Sequence, residues 1–150
     1  TARTAAQLTL AAGSAPAPAE QPAGGGRLAA DVEGVAFPYW EGALGWRATG
    51  MRTDTLDGRS TRTVYYSDAG GRRVGYTIVG GLPAPTASGG SAVWRYGTEY
   101  RLIRVAGVPT VVWLRDGRLC VVSGRGVPGS TLVALASWER PAAATAPSAA

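Results

Sequence analysis

Cys120 is the single cysteine of the 150-residue sequence, and there is no histidine. A thiolate nucleophile needs a base and a positive field beside it. Imidazole is the commonest general base, so its absence removes most hydrolase chemistry. A structural zinc site takes several Cys or His ligands, which this composition cannot supply. An intramolecular disulfide is excluded as well. Cys120 sits in the apolar run Leu119-Cys120-Val121-Val122, which favours a buried structural thiol. Its chemical alternative is a redox thiol that pairs with a partner.

The carboxylates offer a second route to catalysis. Asp54, Asp57, Glu99 and Asp116 are the acids placed near strands and turns. Glycoside hydrolysis needs two acids at a set separation in one cleft. Asp57-Gly58 and Asp116-Gly117 are explained by turn chemistry instead, since Asp-Gly is a favoured hairpin pair. Gly124-Arg125-Gly126 lacks the Lys-Ser/Thr of a phosphate-binding loop. No enzyme activity, cofactor, metal or nucleotide is therefore expected, and a small exported enzyme is the weakest alternative.

The aromatic side chains form the remaining candidate site. Phe37, Tyr39, Trp40 and Trp46 precede the strands, and Trp94 follows a segment rich in Pro, Gly and Ser at 82–91. These residues could flank a ligand groove with 82–91 as a mobile lid. The competing expectation is core packing, because a sheet with one helix needs bulky cover.

All fifteen basic residues are Arg, and the formal charge is +5. That charge permits contact with a polyanion. The arginines are dispersed among ten acids, and Arg72-Arg73 is their one adjacent pair. A solvated face is the expectation, with no nucleic acid as partner. The mean hydropathy of +0.01 is ordinary for a globular domain. No run approaches the roughly 18 apolar residues of a membrane span, so any anchor is expected upstream of Thr1.

The elements that must position these residues read as one α+β domain. Residues 1–27 and 141–150 are rich in Ala, Pro and Gly. They are expected as a flexible juxtamembrane linker and a disordered tail. A helical turn or two within 2–12 has little reason to pack. Between them, 28–140 reads as a single antiparallel sheet of hairpins with a C-terminal helix packed on it. Asp57-Gly58 joins 52–56 to 59–66, and a looser turn at 67–71 leads into 72–79. There Val74, Tyr76 and Ile78 alternate with Arg73, Gly75 and Thr77, as on a half-buried strand. A second set runs 96–105, 108–115 and 118–123. Counting outward from Asp116-Gly117 opposes Arg115 to Arg118, Leu114 to Leu119, Trp113 to Cys120 and Val112 to Val121. This hairpin is apolar on both faces, so it is expected in the centre of the sheet. The paired arginines are expected to splay into water. Pro128-Gly129 ends the last strand, and Ser130 is the expected cap of a helix over 131–138 with Leu132, Leu135 and Trp138 on its apolar face.

Three ordered stretches carry a family resemblance. The first is Val32-Glu33-Gly34-Val35-Ala36-Phe37-Pro38 with Gly45-Trp46-Arg47-Ala48. The second joins Leu56-Asp57-Gly58-Arg59 to Thr63-Val64-Tyr65-Tyr66 and Gly75-Tyr76-Thr77-Ile78-Val79. The third runs from Trp113 through Leu119-Cys120-Val121-Val122-Ser123-Gly124 to Thr131-Leu132 and Ala136-Ser137-Trp138. Across 28–138 the set resembles the C-terminal, extracytoplasmic half of actinobacterial membrane-anchored anti-sigma factors of the zinc-binding type. Relatives often carry a His before the Cys-containing strand, where this sequence has Arg118-Leu119. The resemblance implies a single-pass protein with a cytoplasmic domain that binds a sigma factor, a transmembrane helix, and this region outside the membrane. The expected function is non-catalytic sensing and regulation of an extracytoplasmic-function sigma factor. A wall polymer or protein ligand outside and a regulatory protease are the further partners. The alternative is an exported binding module for a cell-wall or other anionic polymer.

Overall fold

Among the described residues, five non-glycine residues adopt positive φ: Glu33, Asp57, Tyr96, Ala106 and Asp116. Each is followed by a glycine that is also at positive φ. Two consecutive positive-φ residues match the right-handed twist of flanking strands, so each pair closes a tight hairpin. These five turns organise the sheet. The computed structural model describes residues 1–22 and 26–138; the tail expected at 141–150 lies outside them.

The elements in chain order are α1 (Ala2–Leu10), β1 (Arg27–Val32), β2 (Val35–Pro38), α2 (Glu41–Leu44), β3 (Arg47–Leu56), β4 (Arg59–Ser67), β5 (Arg73–Val79), β6 (Ser91–Arg95), β7 (Thr98–Val105), β8 (Val108–Arg115), β9 (Arg118–Ser123) and α3 (Gly129–Ser137). Strands β3 to β9 form one antiparallel sheet in the order β3-β4-β5-β9-β8-β7-β6, and β1 and β2 form a separate hairpin. The architecture is the expected antiparallel sheet with a C-terminal helix on it. Two hairpins were not expected as such, β1–β2 at Glu33-Gly34 and β6–β7 at Tyr96-Gly97.

The β8–β9 register is the one counted from its turn, from Arg115 opposite Arg118 through Val112 opposite Val121. It is central and covered on both sides. On one face Tyr76, Trp113, Cys120 and Val122 pack under the β1–β2 hairpin and α3. On the other, Val79, Val112, Leu119 and Val121 pack with Ala5 and Ala6 of α1.

This second cover corrects the expectation for residues 1–27. The segment is no free spacer along its described length. Helix α1 lies on β5 and β9, with Ala5, Ala6 and Thr9 buried. Beneath it the sheet presents small residues, including Thr63 and Thr77, whose hydroxyls bond at 2.6 Å, and Thr110 with Ser123 at 2.9 Å. At Gly75 the absence of a side chain admits the helix, since a Cβ there would stand 2.6 Å from Thr9 Cα. For the same reason β5 is buried on both faces and not half-buried. Past the helix the chain rounds the β3 edge, where Ser14 and Ala15 donate to the Met51 carbonyl at 2.9 Å. It then reaches the opposite face, where Glu20 bridges to Leu28.

Two further expectations are corrected. Arg115 does not splay into water: it is 7% exposed, and donates to the Tyr76 hydroxyl at 2.6 Å and to the Ala36 carbonyl. The β1–β2 hairpin lies over this end of the sheet and gives a buried guanidinium the acceptors it needs. Its partner Arg118 reaches Glu33 at 2.7 Å. Ser130 is not the helix cap, because α3 starts at Gly129 with Pro128 in the cap position and no side-chain bond there.

Two outcomes follow from this packing. Gly75→Ala forces backbone apart, and such overpacking costs about 1–3 kcal/mol. Urea unfolding should show that loss, with faster tryptic cutting at Arg3. The second concerns acid. Glu33 accepts from the Gly81 N–H at 3.0 Å. That bond, opposed by partial desolvation and aided by Arg118, holds its carboxyl below the ordinary 4.5. A depressed folded value means stability that is present above the unfolded value and lost as pH falls through the folded one. The urea midpoint should therefore decline below about pH 4.5, and Glu33→Gln should flatten that decline.

Candidate functional site

The β2–α2 and α2–β3 connections place Tyr39, Trp40 and Trp46 around a cavity of about 130 Å³. Pro18 to Glu20, Leu28, Ala48 and Tyr66 complete its wall, and Glu20 and Glu41 bring two carboxylates to it. Of the five aromatic residues grouped from the sequence, these three lie around one cavity. The strap 18–20 was not expected there, because only the docking of α1 brings that segment round the sheet edge. Burial, with Glu41 and Glu20 nearby, pushes the Tyr39 hydroxyl above its ordinary value. Trp40 is fully buried, with its ring 4.3 Å from Tyr66. Its indole N–H has no acceptor among the described residues. A buried donor without an acceptor is uncommon and costs free energy. The cavity therefore combines aromatic faces with two acids, which is chemistry for a small cationic guest.

Phe37 and Trp94 lie elsewhere. Phe37 is wholly buried and meets Tyr76 edge-on at 5.5 Å. That contact belongs to a run of rings in which Tyr76 meets Trp113 at 5.4 Å and Trp113 meets Tyr100 at 5.5 Å. Trp94 is 61% exposed on β6. Strands β3 and β6 are the two ends of the seven-stranded order, six spacings or roughly 29 Å apart. Trp94 also faces away from the first core cluster, because its neighbour Val93 packs on that cluster and side chains alternate. The loop 82–91 does not close the aromatic cavity. Its last residue begins β6, and its Ala87 packs with the cluster under α1.

Cys120 is fully buried between its strand partners Trp113 and Ile78. The acids are dispersed. Asp57 and Asp116 occupy hairpin turns. Asp54 takes both Nε and Nη2 of Arg52, at 2.8 and 2.9 Å. Glu99 pairs with Arg101 along β7 at 3.2 Å. Among the described residues, no three His, Cys, Asp or Glu side chains group as a metal site, and no helix is long and apolar enough to cross a membrane.

The burial of Cys120 has a direct consequence. Iodoacetamide should leave the native protein unlabelled over hours and alkylate it fully in urea, as read by intact mass. Rapid native labelling would instead make the thiol available for redox chemistry. In comparisons with known proteins, no family model, no curated protein and no solved structure matches this chain.

Proposed function

We propose that this chain is a non-catalytic extracytoplasmic sensory domain of a membrane-anchored anti-sigma factor, which governs release of an extracytoplasmic-function sigma factor. The observation that carries the reading beyond the motif resemblance is the docking of α1. In this scheme the anchor lies upstream, so α1 and the strap 11–22 are the segment nearest the membrane. Helix α1 is held by Ala5, Ala6 and Thr9 on a face of Gly, Thr and Val. A change in domain stability or ligand occupancy then alters how often α1 leaves the sheet. Each departure exposes the strap to a regulatory protease and couples the outside to the cytoplasmic partner. The aromatic cavity abuts the same strap at Pro18 to Glu20, so a guest there would favour the docked state.

The second reading is an exported binding module for an anionic polymer. It is favoured by a separate cavity with Arg72, Arg73 and Arg125 in its wall.

The reading frame upstream of Thr1 separates the two. A span of about twenty apolar residues preceded by a His/Cys cluster at zinc spacing is expected. A cleavable export signal in its place would overturn the anti-sigma reading and leave the binding module. With the span present, Gly75→Ala in the full-length protein should raise transcription from a sigma-dependent reporter. Unchanged transcription, with α1 shown by proteolysis to be released, would refute signalling through this helix.

A further inference from the structure

We propose that a cavity of about 340 Å³ at the C-terminal end of α1 binds a phosphate group, as a free oxyanion or as the phosphodiester of a polymer. Three segments converge there: Thr9 and Leu10 of α1, Gly70 to Arg73 from the β4–β5 turn into β5, and Arg125 of the β9–α3 loop. Among the described residues, none lining the cavity is acidic. Arg72 turns its guanidinium to the other face of the sheet, 5.5 Å over Trp46, and pairs with Asp68 at 2.8 Å. Arg73 and Arg125 therefore supply the positive charge at the cavity.

One of these guanidiniums is held in position before any ligand arrives: Arg73 lies 4.0 Å over the Tyr65 ring. Stacking on a ring face fixes the guanidinium plane and lowers the entropy lost on binding. Each guanidinium carries five N–H donors. Arg73 spends Nη2 on the Ala11 carbonyl at 2.6 Å, and Arg52 donates to the Ala12 carbonyl at 3.2 Å. Those bonds offset the partial negative charge at the end of α1, which would otherwise repel an anion. Gly71 leaves open space where a side chain would stand.

Phosphate suits this geometry better than a planar carboxylate. Arg73 and Arg125 approach from separate segments, and a tetrahedral group offers acceptor oxygens in several directions. A bound phosphate would tie α1 to the β4–β5 turn and the β9–α3 loop, so occupancy would stabilise the docked helix.

The test is calorimetric titration and thermal unfolding of the domain with sodium phosphate, pyrophosphate, poly(glycerol phosphate), polyglutamate and sodium chloride at matched ionic strength. Saturable binding and a raised midpoint are expected with the phosphates and not with chloride. Arg125→Ala is the main variant, because Arg125 is exposed and its loss should leave the ligand-free midpoint unchanged. It should weaken phosphate binding by about tenfold, the usual scale for a lost charge-assisted hydrogen bond. Arg104→Ala, outside the cavity, should bind as the parent does. Binding of inorganic phosphate and pyrophosphate identifies a free oxyanion as the guest; binding of the polymer alone identifies the phosphodiester. Equal shifts with chloride, tighter binding of polyglutamate than of any phosphate, or unchanged binding by Arg125→Ala would each overturn the assignment.

Discussion

The β8–β9 hairpin has no polar face. Trp113, Cys120 and Val122 turn to one side, and Val112, Leu119 and Val121 to the other. A strand pair of this kind is stable only when both sides are shielded from water. The remaining chain must therefore supply two covers, and the N-terminal residues contribute to both. Helix α1 takes one face, residues 11–22 round the β3 edge, and the β1–β2 hairpin closes on the other with α3. The pairing of 14–15 with Met51 also occupies part of an edge strand whose free groups would otherwise attract another chain.

The two covers differ in strength. The β1–β2 side buries Phe37, Trp40, Tyr76, Trp113 and Leu132, each large enough to contribute roughly 1.5–3 kcal/mol. Helix α1 buries chiefly two alanines and a threonine. A buried methyl group is worth about 0.8 kcal/mol, and an isolated nine-residue helix is not stable in water. Its hold depends as much on polar ties, such as the Tyr65 hydroxyl to the Leu8 carbonyl at 2.6 Å. A segment with few apolar contacts opens at lower free energy than the global transition. The helix is thus the part of the fold on which a modest signal can act, while the aromatic core stays intact.

What was legible in the sequence followed from local rules. Asp-Gly turns and alternation gave the β3–β4 and β8–β9 hairpins and the register of the latter. Glu33-Gly34 and Tyr96-Gly97 make the same kind of turn from residues that seldom adopt positive φ, so their hairpins were hidden. The docking of helix α1 escaped because its apolar stripe is only Ala and Thr, and its partner, Gly75, signals close approach only once the topology is known. The aromatic group was legible as Tyr39, Trp40 and Trp46. Trp94 was not separable from it, since the crossing of residues 80–90 to the far edge leaves no trace in local pattern.

Charge shows the same limit. Fifteen arginines dispersed among acids read as a solvated face, yet many of them act as ties to backbone oxygen. Arg52 reaches the Ala12 carbonyl, Arg59 that of Gly80, Arg73 that of Ala11 and Arg115 that of Ala36. A guanidinium can make such a bond and still stack on a ring or pair with a carboxylate, as Arg73 and Arg52 do. An ammonium, a compact point charge, lacks that fork. Two of these ties hold residues 11 and 12, directly after α1. The basic composition therefore fastens the weakly packed helix, and the cavity with Arg72, Arg73 and Arg125 in its wall lies where that fastening begins.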